Sequence, residues 1–234
     1  QIENVEPVLR PGVQALSFNV LRWLGMADAL RSQLVRRVPP PLADALLCAS
    51  LSLAQAESGA MYEPFTLVDQ TVEAAKRDRA LRAHAGLLNA CLRRFLRERE
   101  ALTQSALVDP VARWNHPRWW AERLRRDHPA HWQTILSAAQ SAAPMDLRVN
   151  AQRSSVADYL ALLARENIEA DALGATAIRL RQPRPVRELP GFLDGLASVQ
   201  SAAAQRAAPL LLADVPERAP HVLDACAAPG GKTA

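Results

Sequence analysis

At 234 residues and 49% hydrophobic, the chain is long enough to bury one large core or two smaller ones, yet it has no uninterrupted apolar run of membrane-spanning length. Its start, QIENVEPVLR, lacks the basic-then-apolar pattern of a secretory leader, and three scattered cysteines, Cys48, Cys91 and Cys226, form neither a disulfide framework nor a Cys-x-x-Cys pair. The expectation is a globular, cytoplasmic protein with no membrane segment and no metal, and its net charge of +4 hides an uneven distribution.

Of 28 basic residues only Lys76 and Lys232 are lysine. Segments 76–99, 113–126 and 177–187 are each basic, and such patches suit phosphate backbones as well as plain solvated surface. The last, AIRLRQPRPVR, carries Arg179, Arg181, Arg184 and Arg187 before its first acid, Glu188, and is the most one-sided run in the chain.

From Gly12 to about Gln140 the spacing of apolar residues predicts helices. Segment 13–37 reads as two helices broken near Gly25. Pro39, Pro40 and Pro41 end that pair and open LADALLCASLSLAQAE, with proline tolerated in a first turn and Glu57-Ser58-Gly59 as the stop. Helices follow over Thr66–Lys76 and Ala80–Glu100. In the second, Leu88, Cys91, Leu92 and Phe95 share one face, with Arg93 and Arg97 opposite. Cys91 and Cys48 are therefore expected in the core.

Residues 114–136 hold four of the five tryptophans and three of the five histidines, divided by Pro117 and Pro129. Two short helices meeting at proline turns fit this pattern. His116, His128 and His131 lack a spaced acid or cysteine partner, so turn and packing roles are expected rather than a metal site. Trp114, Trp119, Trp120 and Trp132 could stack bases, but an aromatic seam between the helical domain and its neighbour is the preferred reading.

Beyond Pro144 the period changes. MDLRVN alternates like a strand, SSVADYLALLARE is an amphipathic helix with Ser154 and Ser155 as candidate caps, and ATAIRLR and LASVQ read as strands. A short helix is expected over 201–213, and HVLDAC as a brief apolar strand.

The ending, HVLDACAAPGGKTA, invites a phosphate-loop reading that its spacing defeats. Such a loop needs a glycine five residues before Gly231, where Cys226 stands, and Pro229 removes a backbone N–H donor. The dinucleotide fingerprint is absent too, since Gly230 and Gly231 are adjacent. A strand, an acid at its carboxyl end (Asp224) and a tight double-glycine loop remain. That arrangement suits a small, partly cationic, nucleotide-like ligand, with Asp224 for amino or hydroxyl groups and Lys232 for a carboxylate or loop carbonyls.

DACAAPGGKT resembles the S-adenosylmethionine-binding motif of the RNA cytosine-5 methyltransferases. The resemblance assigns Asp224, Cys226, Ala227, Ala228, Pro229, Gly230, Gly231 and Lys232 to binding S-adenosyl-L-methionine. SFNVLRWLGMADAL, VDQTVEAAKR and NACLRRFLRE resemble the NusB-like helical domain of the Sun or RsmB branch, which methylates small-subunit ribosomal RNA. HPRWWAERLRRDHPAHWQTIL, PMDLRVN and ELPGFLDGLASVQ are similar to the linker and small module that precede the catalytic domain there.

The resemblance implies a mainly α, NusB-like RNA-binding bundle over 1–112, a helical linker over 113–143, a small α+β module over 144–200, and the start of an α/β Rossmann-like methyltransferase domain over 201–234. It covers nearly the whole chain and departs at Ser201, where the family has an aspartate before a serine-glutamine pair. It also implies a ribosomal RNA partner, with Arg148, Arg179, Arg181 and Arg184 as phosphate contacts, and a monomer. The family's chemistry is covalent: a cysteine thiolate adds to carbon 6 of cytosine so that carbon 5 can attack the sulfonium methyl, and a second cysteine assists release. Both cysteines belong to motifs later than the glycine loop, so no catalytic residue is assigned within 1–234 and Cys226 is not the nucleophile. The expectation is a fragment, incomplete at both ends and inactive alone. The alternatives are a non-enzymatic, NusB-like RNA-binding antitermination module and, third, a phosphate-loop ATPase.

Overall fold

The computed structural model describes residues 2–55, 62–213, 221–225 and 227. The chain divides into two compact units, 1–142 and 143–234. Each has its own apolar core.

The first unit is helical throughout: after a 3-10 turn at Ile2–Asn4 come α1 (Arg10–Arg22), α2 (Leu24–Leu34), α3 (Pro41–Ala54), α4 (Pro64–Arg77), α5 (Ala85–Arg97), α6 (Arg99–Ala106), α7 (Pro110–Trp114), α8 (Arg118–Asp127) and α9 (Trp132–Gln140). Pro41, Pro64 and Pro110 each stand at the first helical position, where the missing N–H costs nothing. Leu30 of α2, Leu47 and Leu51 of α3, and Leu88, Leu92 and Phe95 of α5 are fully buried in one cluster. Recurrence at three and four residues puts them on the inner faces, as the apolar spacing predicts.

Two boundaries differ from the sequence reading. The helix predicted to begin at Ala80 begins at Ala85, after a 3-10 turn at Arg82–His84, because Asp78 turns the chain by accepting the N–H of Ala80 at 2.7 Å. It also breaks at Glu98, which leaves α6 as a separate helix. Between α1 and α2 the break falls at Trp23, and Gly25 lies inside the first turn of α2. The glycine is needed for close approach: a Cβ there would meet the Val111 carbonyl of α7 at 2.6 Å. Asn115, in the left-handed region just after α7, closes the joint by accepting the Met26 N–H at 2.9 Å.

Cys48 and Cys91 are both buried, as expected. Burial, aided by the Asp44 charge, pushes the Cys48 thiol up to about 11, and burial also raises Cys91. Iodoacetamide at neutral pH is therefore expected to modify these two thiols only after unfolding; peptide mapping that found either one alkylated at the rate of a free thiol in native protein would refute this.

The second unit carries β1 (Met145–Val149), α10 (Val156–Arg165), β2 (Ala170–Ala172), β3 (Ala177–Leu180), a 3-10 turn at Val186–Glu188, β4 (Ala197–Val199), α11 (Ala202–Gln205) and α12 (Ala207–Leu212). The strands form one antiparallel sheet in the order β2-β3-β1-β4. Alternation sorts the faces: Leu147, Val149, Ile178 and Leu180 join Tyr159 and Leu163 of α10 in the core, while Asp146, Arg148 and Arg179 point the other way. Ser155 caps α10 by accepting the Asp158 N–H at 3.1 Å, and the buried Tyr159 hydroxyl donates to the Pro190 carbonyl at 3.1 Å.

Strand β2, three residues without a β-branched side chain, carries no strand signal in the sequence. Conversely, the strand predicted over HVLDAC does not form in the described part: residues 221–224 have no regular structure, and Val222 and Leu223 are exposed. A parallel strand exists only as a member of a ladder covered on both faces, and no described segment pairs with this one.

Candidate functional site

The polar face of the sheet gathers three of the four arginines predicted to meet phosphate. Arg148 on β1 is paired in register with Ala177 and with Ser198, so it shares this face with Asp146 and Arg179. Arg179 donates through Nε and Nη2 to the two carboxylate oxygens of Asp146 at 2.7 and 3.1 Å. Arg181, at the end of β3, does the same to Asp171 of β2 at 3.1 and 3.0 Å, and lies 3.4 Å from Glu169. Arg184 follows in the exposed loop toward Val186.

The run that looks one-sided in sequence is thus not one-sided in space. Its acidic partners come from strands β1 and β2, where a linear reading cannot see them. Among the described residues Arg184 and Arg187 form no ion pair, so the outward charge of the run concentrates there.

Asp146 is the best-held group of this face, with only 3% of its side chain exposed. Arg179's hydrogen bonds hold its carboxyl below the usual range against the opposing effect of burial, and the N–H of Ala202, at 2.9 Å from Oδ2, adds to the depression. Asp171 is lowered by Arg181 in the same way, and both arginines are raised in turn.

The Ala202 contact ties the start of α11 to β1. Gln205 reinforces it: its Nε2 donates to the carbonyls of Leu147 and Gln200 at 3.2 and 3.0 Å, and its Oε1 accepts from Thr176 Oγ1 at 3.1 Å. Ser201, the residue at which the sequence departs from its family pattern, caps α11 by accepting the Ala204 N–H at 3.3 Å. Serine and aspartate both serve as helix caps, and an aspartate at this position would accept the same N–H. Ser201→Ala is expected to cost about 1 kcal/mol and Ser201→Asp almost nothing; equal urea midpoints for alanine, aspartate and wild type would contradict a capping role.

Of the residues assigned to the cofactor, only Asp224 and Ala227 fall among the described residues. Asp224 is half-buried and Ala227 exposed. Cys226, Ala228, Pro229, Gly230, Gly231 and Lys232 lie outside them.

The tryptophan-rich stretch resolves into two sites. Trp114 and Trp132 pack edge to face, with centroids 5.2 Å apart, and join α7 to α9. Both rings belong to the helical unit. Trp119 and Trp120 make a second edge-to-face pair on α8, where Trp119 is 66% exposed. His116 Nδ1 lies 2.6 Å from the Trp114 carbonyl, and His128 and His131 flank the turn between α8 and α9. Among the described residues no cluster of histidine, cysteine or acid could hold a metal ion.

A family profile described as "Methyltr_RsmF/B-like, ferredoxin-like domain" matches residues 116–187. The ribosomal RNA small subunit methyltransferase B of Pseudomonas putida is 40% identical over 245 aligned residues, covering 100% of this chain and 53% of the relative. Along its whole length the chain is similar to proteins of this name. Its Vibrio cholerae relative of the same name is 43% identical, covering 71% of this chain and 38% of that one. The Escherichia coli methyltransferase B is 36% identical across 99% of the chain and 55% of its own length.

The chain therefore spans about half the length of the methyltransferase B relatives it matches. In fold it is similar to the crystal structure of PH0851, with a TM-score of 0.61 at 14% identity, covering 89% of this chain and 48% of that one. The sheet order β2-β3-β1-β4 with α10 on one face agrees with the ferredoxin-like description, although the described chain has only a 3-10 turn in the β3–β4 connection.

Proposed function

We propose that this chain is part of an S-adenosylmethionine-dependent methyltransferase acting on carbon 5 of a cytosine in small-subunit ribosomal RNA. In this reading it contributes RNA positioning and the first cofactor contacts, and it transfers no methyl group alone. The observation that carries the reading is homology along the whole chain to proteins named methyltransferase B, ending in DACAAPGGKT. Residues 1–112 serve as a NusB-like RNA-binding domain, 113–143 as a linker, 144–200 as the small module, and 201–234 as the start of a Rossmann-like catalytic domain. The working protein is a cytoplasmic monomer.

The donor chemistry fits the cofactor in kind. Asp224 offers a half-buried carboxylate for amino or hydroxyl groups, and Lys232 can balance a ligand carboxylate or hold the loop. When bound, the cofactor supplies a methyl group on a sulfonium. Hydrogen bonds of Asp146 to Ala202 and of Gln205 to Leu147 fix where α11 leaves the sheet. With the intact parent, S-adenosylmethionine is expected to bind in calorimetric titration where ATP does not; the reverse result would restore the phosphate-loop reading.

RNA is held mainly through phosphates. Arg148, Arg179 and Arg181 orient the backbone across the sheet's polar face, and Arg184 carries the larger share of outward charge, because Asp146 and Asp171 already neutralise its two neighbours. Reversing Arg184 and Arg187 to glutamate is expected to weaken RNA binding roughly tenfold or more at low salt and to flatten the salt dependence. Unchanged affinity and slope would remove this loop from the interface.

A further inference from the structure

One groove of the helical unit is not used by any of the roles above. It measures about 450 Å³ and opens between the Leu107–Pro110 turn, α7, one face of α8 and the start of α9. Trp114 and Trp132 lie in its wall as the edge-to-face pair, both only partly buried. Arg113 sets its guanidinium 5.4 Å from the centroid of the Trp114 ring. Arg118 and Arg125 stand two turns apart along α8, on the same face, with Glu122 between them as the lone acid of the lining.

We infer that this groove receives an unstacked RNA base, with the flanking phosphates held by Arg118 and Arg125. The inference rests on the proposed ribosomal RNA substrate and adds to it a place where a nucleotide is gripped. Three guanidiniums against one carboxylate give the lining a positive balance that complements phosphate. The tryptophan faces and the planar Arg113 supply stacking surfaces, which every base can use whatever its sequence. Single-stranded RNA is read in this way, by splayed bases on aromatic and guanidinium planes. An acidic peptide would satisfy the cations but would make no use of the aromatic wall formed by Trp114 and Trp132. The Asp109 carboxylate, 3.6 Å from Arg118, keeps that side chain at the rim and is weak enough at this exposure for phosphate to displace.

The test uses the 234-residue chain and a fluorescein-labelled single-stranded segment of small-subunit ribosomal RNA. Arg118→Ala with Arg125→Ala is expected to lower affinity about tenfold and to reduce the magnitude of the salt slope by roughly 1.4, the value for two phosphates on a single strand. Arg165→Ala with Arg206→Ala, two exposed arginines of the second unit outside the proposed RNA contacts, removes equal charge elsewhere and should cost clearly less. Trp132→Leu is expected to weaken binding roughly tenfold, and to bring affinity for the normal strand down to that for a strand made abasic at its centre. If Trp132→Leu does not fold by circular dichroism, the arginine pair and the abasic strand decide alone.

Wild-type RNA binding with no loss in these variants would overturn the groove while leaving the ribosomal RNA reading intact. Failure of the wild-type chain to bind RNA at all would overturn the groove and the RNA-positioning role together. Polyglutamate that competes for the wild-type groove, with the abasic and normal strands bound equally, would assign the site to an acidic peptide instead.

Discussion

Asp146→Ala is expected to destabilise the second unit by about 3 kcal/mol, because it removes at once the acceptor of a bidentate guanidinium and of a backbone N–H. The value sits at the low end for a broken buried pair. Arg179 is 43% exposed and can turn to water, so the lasting cost is the loosened start of α11. For a unit of this size the thermal transition should fall by roughly 12–20 °C. Asp146→Asn keeps one acceptor oxygen and loses the charge, so its cost should be smaller, about 2 kcal/mol.

The pH dependence has a fixed sign. Because the folded carboxyl is held below its ordinary value, the contribution of Asp146 is complete above the unfolded value of about 3.9 and disappears as pH falls through the lower, folded one. The gap between wild type and Asp146→Asn should therefore be widest near neutrality and close in acid. A gap of the same size at pH 3 and pH 7 would show that the residue acts by packing alone.

Gly25→Ala is the second large effect. Alanine is the better helix former by about 1 kcal/mol, so propensity alone forecasts stabilisation. The structure forecasts the opposite: the new Cβ meets the Val111 carbonyl at 2.6 Å and the Asn115 Cα at 3.3 Å, both backbone atoms that no rotamer change can move. Separating α7 from α2 also removes the bond from the Met26 N–H to the Asn115 side chain. A net loss of about 2–3 kcal/mol is expected in denaturant unfolding of the helical unit. A variant as stable as wild type would mean that α7 does not pack against α2 in this way. Because α7 carries Trp114, the same variant should also change the tryptophan emission of the native protein.

The helical unit was largely legible because its determinants are local. Apolar residues at three- and four-residue spacing named the inner face of α5, and prolines at 41, 64 and 110 sit at helix starts. What escaped was set by contacts far apart in sequence. Gly25 looked like a helix breaker, yet it is a contact point for a carbonyl more than eighty positions away. The run from Arg179 to Arg187 looked like a bare cationic strip because Asp146 and Asp171 lie on other strands. A signal for the first of these was present: in MDLRVN the acid occupies the alternate, non-core position, where a charged residue beside buried neighbours needs a partner across the sheet. Strand β2 gave no such signal, since ADA has neither alternation nor β-branching.

The glycine motif shows the complementary case. Its residue types were informative without any geometry, because Cys226 and Pro229 stand where a phosphate loop needs glycine and a free N–H. Its expected strand was not informative, because a strand is defined by its neighbours rather than by its own residues.

The central proposal is that this chain is part of a cytosine-5 methyltransferase and serves it by positioning RNA and beginning the cofactor site. It is tested most directly by joining the chain to its natural downstream coding sequence, incubating the product with methyl-labelled S-adenosylmethionine and small-subunit ribosomal RNA, and locating the label by mass spectrometry of nucleosides. The account predicts label on carbon 5 of a cytosine with the joined protein and none with residues 1–234 alone. Label on another atom, no label with the joined protein, or transfer by the 234-residue chain unaided would contradict it.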